Sequence, residues 1–129
     1  MIVAESAGDL LLSRLMLNLN EPCRITDTSW IQPMRYIGIW WTYHMKHNTW
    51  HAGPHHGATT ENTMRHIDFA AANNLGGVLV EGWNEDWATW KFSFTKPYTD
   101  FDIQRITDYG RSKGVALIGH HETGGNVSN

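Results

Sequence analysis

The chain has 129 residues, 41% of them apolar and 18% charged, with a net charge of −3 when histidine is neutral. That is enough for one domain with a real hydrophobic core and too apolar for a disordered segment, and no apolar run approaches the ~20 residues of a membrane-spanning helix. The negative balance, with Arg35 and Lys46 scattered among aromatics, offers no basic field for nucleic acid.

One cysteine, Cys23, excludes an internal disulfide framework and a cysteine-based zinc site, and is expected to be a buried small apolar residue. The opening Met1-Ile-Val-Ala-Glu-Ser6 has no basic stretch followed by a long apolar core, so no signal peptide is expected there. Six of the seven tryptophans fall between Trp40 and Trp90. Indole faces suit polar ligands that also present apolar C–H faces.

Residues 1–35 are the least regular part. Gly8-Asp9 can open a helical turn through Leu10–Leu12, while Leu15, Leu17 and Leu19 alternate with Met16 and Asn18 as in a strand. Asn20-Glu21-Pro22 ends either element. From Tyr36 a rhythm sets in. Tyr36-Ile-Gly-Ile-Trp-Trp41, Gly77-Val-Leu-Val80 and Val115-Ala-Leu-Ile-Gly119 are near-continuous apolar runs that suit buried parallel strands. Between them, Thr59-Thr60-Glu61 can cap a helix with Met64, Ile67, Ala71 and Leu75 on one face, stopped by Asn74-Leu-Gly-Gly77. Asp100 or Asp102 can cap a second, with Ile103, Ile106 and Tyr109, ending near Gly114.

The strand starts lie about 40 residues apart, the size of one βα unit of a (β/α)8 barrel. A doubly wound sheet also fits the order, but no GxGxxG or GxxxxGK cradle opens either helix. The expected fold is α/β: a partial (β/α)8 TIM barrel of about three βα units over 36–129, preceded by a junction segment over 1–35. Long connections follow the strands at 42–58 and 84–99, on the side where barrels place their chemistry.

Each strand ends in a polar–aromatic group: Trp40-Trp41-Thr42-Tyr43-His44, then Glu81-Gly82-Trp83-Asn84, then His120-His121-Glu122. Two carboxylates with neutral donors and indole faces at one mouth are what glycoside hydrolysis needs, one carboxyl as acid and one as base or nucleophile. Each has a plainer alternative. Glu122 can merely solvate a strand end, and Glu81 can form a structural ion pair. Strand alternation sets His120 on the side of Glu122 and sends His121 toward the helices as a structural histidine. A metal reading uses His120 and Glu122 with His51, His55 and His56, but the first strand lacks the HxH pair that histidine-rich barrel hydrolases begin with. Trp87, Trp90, Phe92 and Phe94 alternate with polar residues as an extended flap.

Taken together, Leu17-Asn-Leu-Asn-Glu-Pro-Cys23, Asp27-Thr-Ser-Trp-Ile31, Tyr36-Ile-Gly-Ile-Trp-Trp41, His56-Gly-Ala-Thr-Thr-Glu61, Val80-Glu-Gly-Trp-Asn84, Pro97-Tyr-Thr-Asp-Phe-Asp102 and Gly119-His-His-Glu-Thr123 resemble glycoside hydrolase family 97. The resemblance covers nearly the whole chain in order. It implies a three-part α-glucosidase or α-galactosidase with an N-terminal β-sandwich, a catalytic barrel and a C-terminal β domain, of which this chain is the junction and the first three barrel strands. It implies that Glu122 is the general base of the inverting α-glucosidase branch, and that Trp40 or Trp41, Glu81 and His120 contact an oligosaccharide or α-glycoside substrate; Trp83 and Asn84, in the same strand-end group as Glu81, are candidate substrate contacts beside them. The retaining branch uses an aspartate nucleophile after a fourth strand. The resemblance also implies Ca2+ in the parent protein, with ligands outside this chain, and a periplasmic or secreted parent. The general acid has no counterpart here, so the isolated chain is expected to be inactive. Two rival readings are a non-catalytic carbohydrate-binding remnant and self-association through open strand edges.

Overall fold

Three short apolar runs pair side by side as a parallel sheet in the order β1-β2-β3. They are β1 (Tyr36–Ile39), β2 (Gly77–Val80) and β3 (Ala116–Gly119). The computed structural model describes residues 2–85 and 93–121. The register is continuous across the sheet: Ile37↔Val78↔Leu117 and Ile39↔Val80↔Gly119. Strand side chains alternate faces, so one face carries Ile37, Ile39, Val78, Val80 and Leu117. The other carries Tyr36, Gly38, Leu79, Ala116 and Ile118.

The first face is the core. It packs against α4 (Thr60–Ala72) and α5 (Ile103–Ser112) through Ile67, Ala70 and Ile106, all without solvent exposure. Thr59 caps α4 by accepting from the Asn62 amide, and Asp102 caps α5 by accepting from the Arg105 amide. Both helices stop in the same way. Asn74 and Gly114 turn left-handed (φ +54° and +70°), and the Leu75 and Val115 amides donate back to the Ala70 and Gly110 carbonyls. The buried stripe of α4 is Thr60, Thr63, Ile67 and Ala70. Met64, Ala71 and Leu75, expected at its centre, flank it half-buried.

The first apolar run was expected to stay extended through Trp41. The strand stops at Ile39, and Trp41–His44 form the short helix α3. Tyr43 of α3 enters the core at 2% exposure, and its hydroxyl donates to the Glu81 carbonyl (3.0 Å).

The chain divides into two units, residues 1–32 and 33–129, and the sheet belongs wholly to the second. The first holds α1 (Ala7–Leu12), capped by Ser6, and α2 (Leu15–Leu19). The strand expected over Leu15, Leu17 and Leu19 is therefore a helix. An isolated strand would leave its amides unpaired, whereas a helical turn satisfies them locally. None of the described residues of this unit is buried, and Cys23, expected inside, is exposed.

Two expectations follow from the core. Ile67→Ala removes a side chain sealed between α4 and the sheet and should cost about 3 kcal/mol, read as a lower urea midpoint. Burial, and secondly the Glu81 carboxylate, hold the Tyr43 phenol above its ordinary value of 10.0. Above pH 10 the unfolded chain loses this proton while the folded chain keeps it, so stability falls as pH rises; below pH 10 the contribution is complete. Urea midpoints measured upward from pH 9 should decline in the wild type and more shallowly in Tyr43→Phe.

Candidate functional site

One residue beyond the register row Ile39↔Val80↔Gly119 come Trp40, Glu81 and His120. By alternation they leave the strands on the face opposite α4 and α5. The row is still tied at its end, because the His120 amide donates to the Val80 carbonyl (3.0 Å). Gly38, two residues before Trp40, is a glycine because the Trp40 indole lies over it, where a Cβ would clash. Trp40 thus folds back along the strand surface, and Trp41 stands edge-on to it at 5.5 Å between ring centroids. Trp41 is the more open of the two, at 61% exposure.

Glu81 is largely enclosed. Its Oε2 accepts from the Trp50 indole N–H at 3.2 Å, and its Oε1 stands 3.8 Å from His120 Nε2. The second distance is too long for a direct hydrogen bond. It is short enough for one hydroxyl group to reach both atoms. Among the described residues no Lys or Arg pairs with Glu81, and its polar neighbours there are Trp50 and His120.

Gly82 then reverses the chain with φ +70°, a conformation that favours glycine, and a Cβ there would meet the Trp50 carbonyl oxygen at 2.7 Å. After this turn the chain dives to the helix-packed side. Trp83 is 4% exposed, donates its indole N–H to the His120 carbonyl (3.1 Å), and packs on Phe101 and Phe94. Asn84 is fully buried, donates to the Ser93 carbonyl and accepts through Oδ1 a contact from His121 Nδ1 (3.1 Å). Trp83 and Asn84, candidate substrate contacts from the sequence, are both buried in this structure. His121 is buried beside Asn84 and Phe94.

The loop between α3 and α4 contributes residues that sequence reasoning passed over. Tyr43, Trp50 and His56 all reach residues 81–82. His56, which the sequence offered as a possible metal ligand, is buried with Nε2 on the Gly82 carbonyl (2.8 Å) and Nδ1 on Asp100 Oδ2 (2.7 Å). Asp100, one of two possible helix caps, serves this histidine, while Asp102 caps the helix. No sequence signal joins His56 to Asp100, because 44 positions separate them.

Glu122 lies outside the described residues, as do Trp87, Trp90 and Phe92 of the expected flap. Phe94, the last of that group, is exposed but rests one ring edge on Trp83. Among the described residues no three His, Cys, Asp or Glu side chains converge as a metal site. Calcium wants six to eight oxygen ligands, and the described residues bring no such group together.

Comparison with known proteins bears on the identity of this row. The family model of glycoside hydrolase 97 matches residues 40–129, well over half of the chain. A curated relative, the retaining alpha-galactosidase of Bacteroides thetaiotaomicron, is 29% identical in an alignment 127 residues long that covers 93% of this chain and 18% of that protein. Solved structures include a glycoside hydrolase family 97 enzyme from Pseudoalteromonas sp. strain K8 in complex with acarbose, and a variant of it in complex with panose. Each is 53% identical with a TM-score of 0.81, covering 97% of this chain and 20% of the other. The chain therefore spans about a fifth of the length of these relatives. It belongs to glycoside hydrolase family 97.

Proposed function

We propose that this chain supplies the first three strand ends of an α-glycosidase active site, within a partial (β/α)8 barrel of a longer protein of the inverting α-glucosidase type. The observation that carries this reading is the row Trp40, Glu81, His120 at the carboxyl ends of parallel strands, on the face free of helices. Ligands bind at that end of such sheets. Strand order β1-β2-β3 with both helices on one face is the winding a barrel uses.

In this reading Trp40 and Trp41 offer flat faces to the C–H side of a sugar ring, and Glu81 with His120 takes its hydroxyls. Trp83 and Asn84 act from beneath, holding the chain between them. Glu122 follows His120 by two positions in the sequence. Its carboxylate takes a proton from water as that water attacks the anomeric carbon. The leaving oxygen takes its proton from an acid elsewhere in the protein, on the opposite side of the ring, and the configuration inverts. Calcium, in the same reading, is held by residues beyond this chain. Residues 1–35 serve as the junction from a preceding sandwich, which is consistent with a segment that buries none of its leucines.

The acarbose and panose complexes of the Pseudoalteromonas enzyme favour a glucose-type oligosaccharide at 53% identity. The retaining alpha-galactosidase, at 29%, is the more distant guide.

The test uses the full-length protein. Glu122→Gln should lower kcat on an α-glucoside by about 10²- to 10⁴-fold with little change in sugar affinity. The first product seen by proton NMR should be the β-anomer. An α-anomer would place the protein with the retaining enzymes, and unchanged turnover would remove Glu122 from the mechanism. Sugar binding without turnover in the wild type would give the lead to the non-catalytic carbohydrate-binding alternative.

A further inference from the structure

The long connection from β1 to α4 does more than join two elements. Three of its side chains converge on two consecutive residues after β2. Tyr43 donates to the Glu81 carbonyl (3.0 Å), Trp50 donates to Glu81 Oε2 (3.2 Å), and His56 holds the Gly82 carbonyl (2.8 Å). The first and third grip the backbone and would serve any residue at 81. The second grips the carboxylate itself.

An indole N–H is a donor only, with no capacity to accept. Its partner here must be an acceptor, and a carboxylate oxygen is one in its ionised form. The Trp50 ring is itself fixed. It packs on the Tyr43 ring at 4.7 Å between centroids, meets His44 at 5.6 Å, and its own backbone lies against Gly82. His44 in turn touches the Trp40 ring at 5.5 Å. A single aromatic chain thus runs from the exposed Trp40 to the group that orients Glu81.

We propose that Trp50 is a positioning residue: its indole N–H pins Glu81 Oε2, so that Oε1 is left facing His120 and the open side of the sheet as the acceptor for a substrate hydroxyl. The proposal rests on the sugar-binding reading of Glu81 and His120. Without Trp50 the carboxylate swings about its terminal torsion, which is soft and roughly two-fold, and one hydroxyl no longer meets both Oε1 and Nε2. A role in packing alone predicts something different, because phenylalanine keeps a ring among Tyr43 and His44 while removing the donor.

Two measurements on the full-length protein decide the matter. The first needs no ligand. With 15N-labelled tryptophan, the Trp50 indole proton should exchange slowly with solvent and resonate downfield, and Glu81→Ala should move it upfield and speed its exchange. An indole signal unmoved by loss of the carboxylate overturns the proposal. The second uses acarbose as the probe. Trp50→Phe should weaken its binding about tenfold, the scale of one hydrogen bond to a charged group. The same substitution made in Glu81→Ala should change affinity little, since the positioned group is gone. Equal losses in both backgrounds, or no loss in either, overturn the proposal. If the wild type binds no acarbose, the sugar-binding reading fails, and the indole signal still judges the contact between Trp50 and Glu81.

Discussion

The arrangement after β2 depends on one buried imidazole. His56 ties together the connection in which it sits, the turn after β2 and the approach to α5. The Gly82 carbonyl can only accept, so Nε2 carries a proton. Nδ1 then faces Asp100 Oδ2 at 2.7 Å, a contact that requires one further proton between them. Thr60 repeats the tie at the next position. Its amide and hydroxyl both donate to the Asp100 carbonyl, and its oxygen accepts from the Asp102 amide. With the imidazole sealed from water, losing either partner would leave a buried polar group unsatisfied, which costs about 1–3 kcal/mol. The first turns of α4 and α5 are fixed to each other by the same residues that fix the Glu81–Gly82 turn.

That turn explains why Val80-Glu-Gly-Trp-Asn84 serves two faces of the sheet. Glu81 continues the alternation of β2 and leaves on the helix-free side. The positive φ of Gly82 then sends the chain under β3, where Trp83 rests against Gly119 and the core. A side chain at 82 would both strain the backbone and push the Trp50 strand of loop away. The buried tryptophan closes the hydrophobic layer, and the glutamate leaves on the opposite face of the sheet.

The parts legible in sequence are those set by local chemistry. The three apolar runs, the caps at Thr59 and Asp102, and the stops at Asn74 and Gly114 each announce themselves within a few residues. Alternation also separated His120 from His121, since it needs only the parity of one strand. The errors arose where a partner decides. Leu15, Leu17 and Leu19 alternate like a strand, but no neighbouring strand pairs with them, and the backbone folds into a helix. Trp83 stands at a strand end, and the left-handed glycine before it turns its ring into the core, which the parity of one strand does not show. Nothing in the sequence pointed Trp50 or His56 at the turn after β2. Their meaning lies in contacts 31 and 26 positions away, and only the folded loop brings those together.

The way Glu81 is held bears on what it can do. A lysine or arginine beside it would satisfy both carboxylate oxygens and compete with any hydroxyl for them, since a charge-assisted pair is roughly twice as strong as a neutral hydrogen bond. Here one neutral donor takes one oxygen, and a histidine stands just beyond bonding reach of the other. The carboxylate is oriented but not saturated. In the proposed reading, a ligand hydroxyl at the open face bridges that second oxygen and the histidine. The loop from β1 therefore sets the precision of the site, while the strands set only its position.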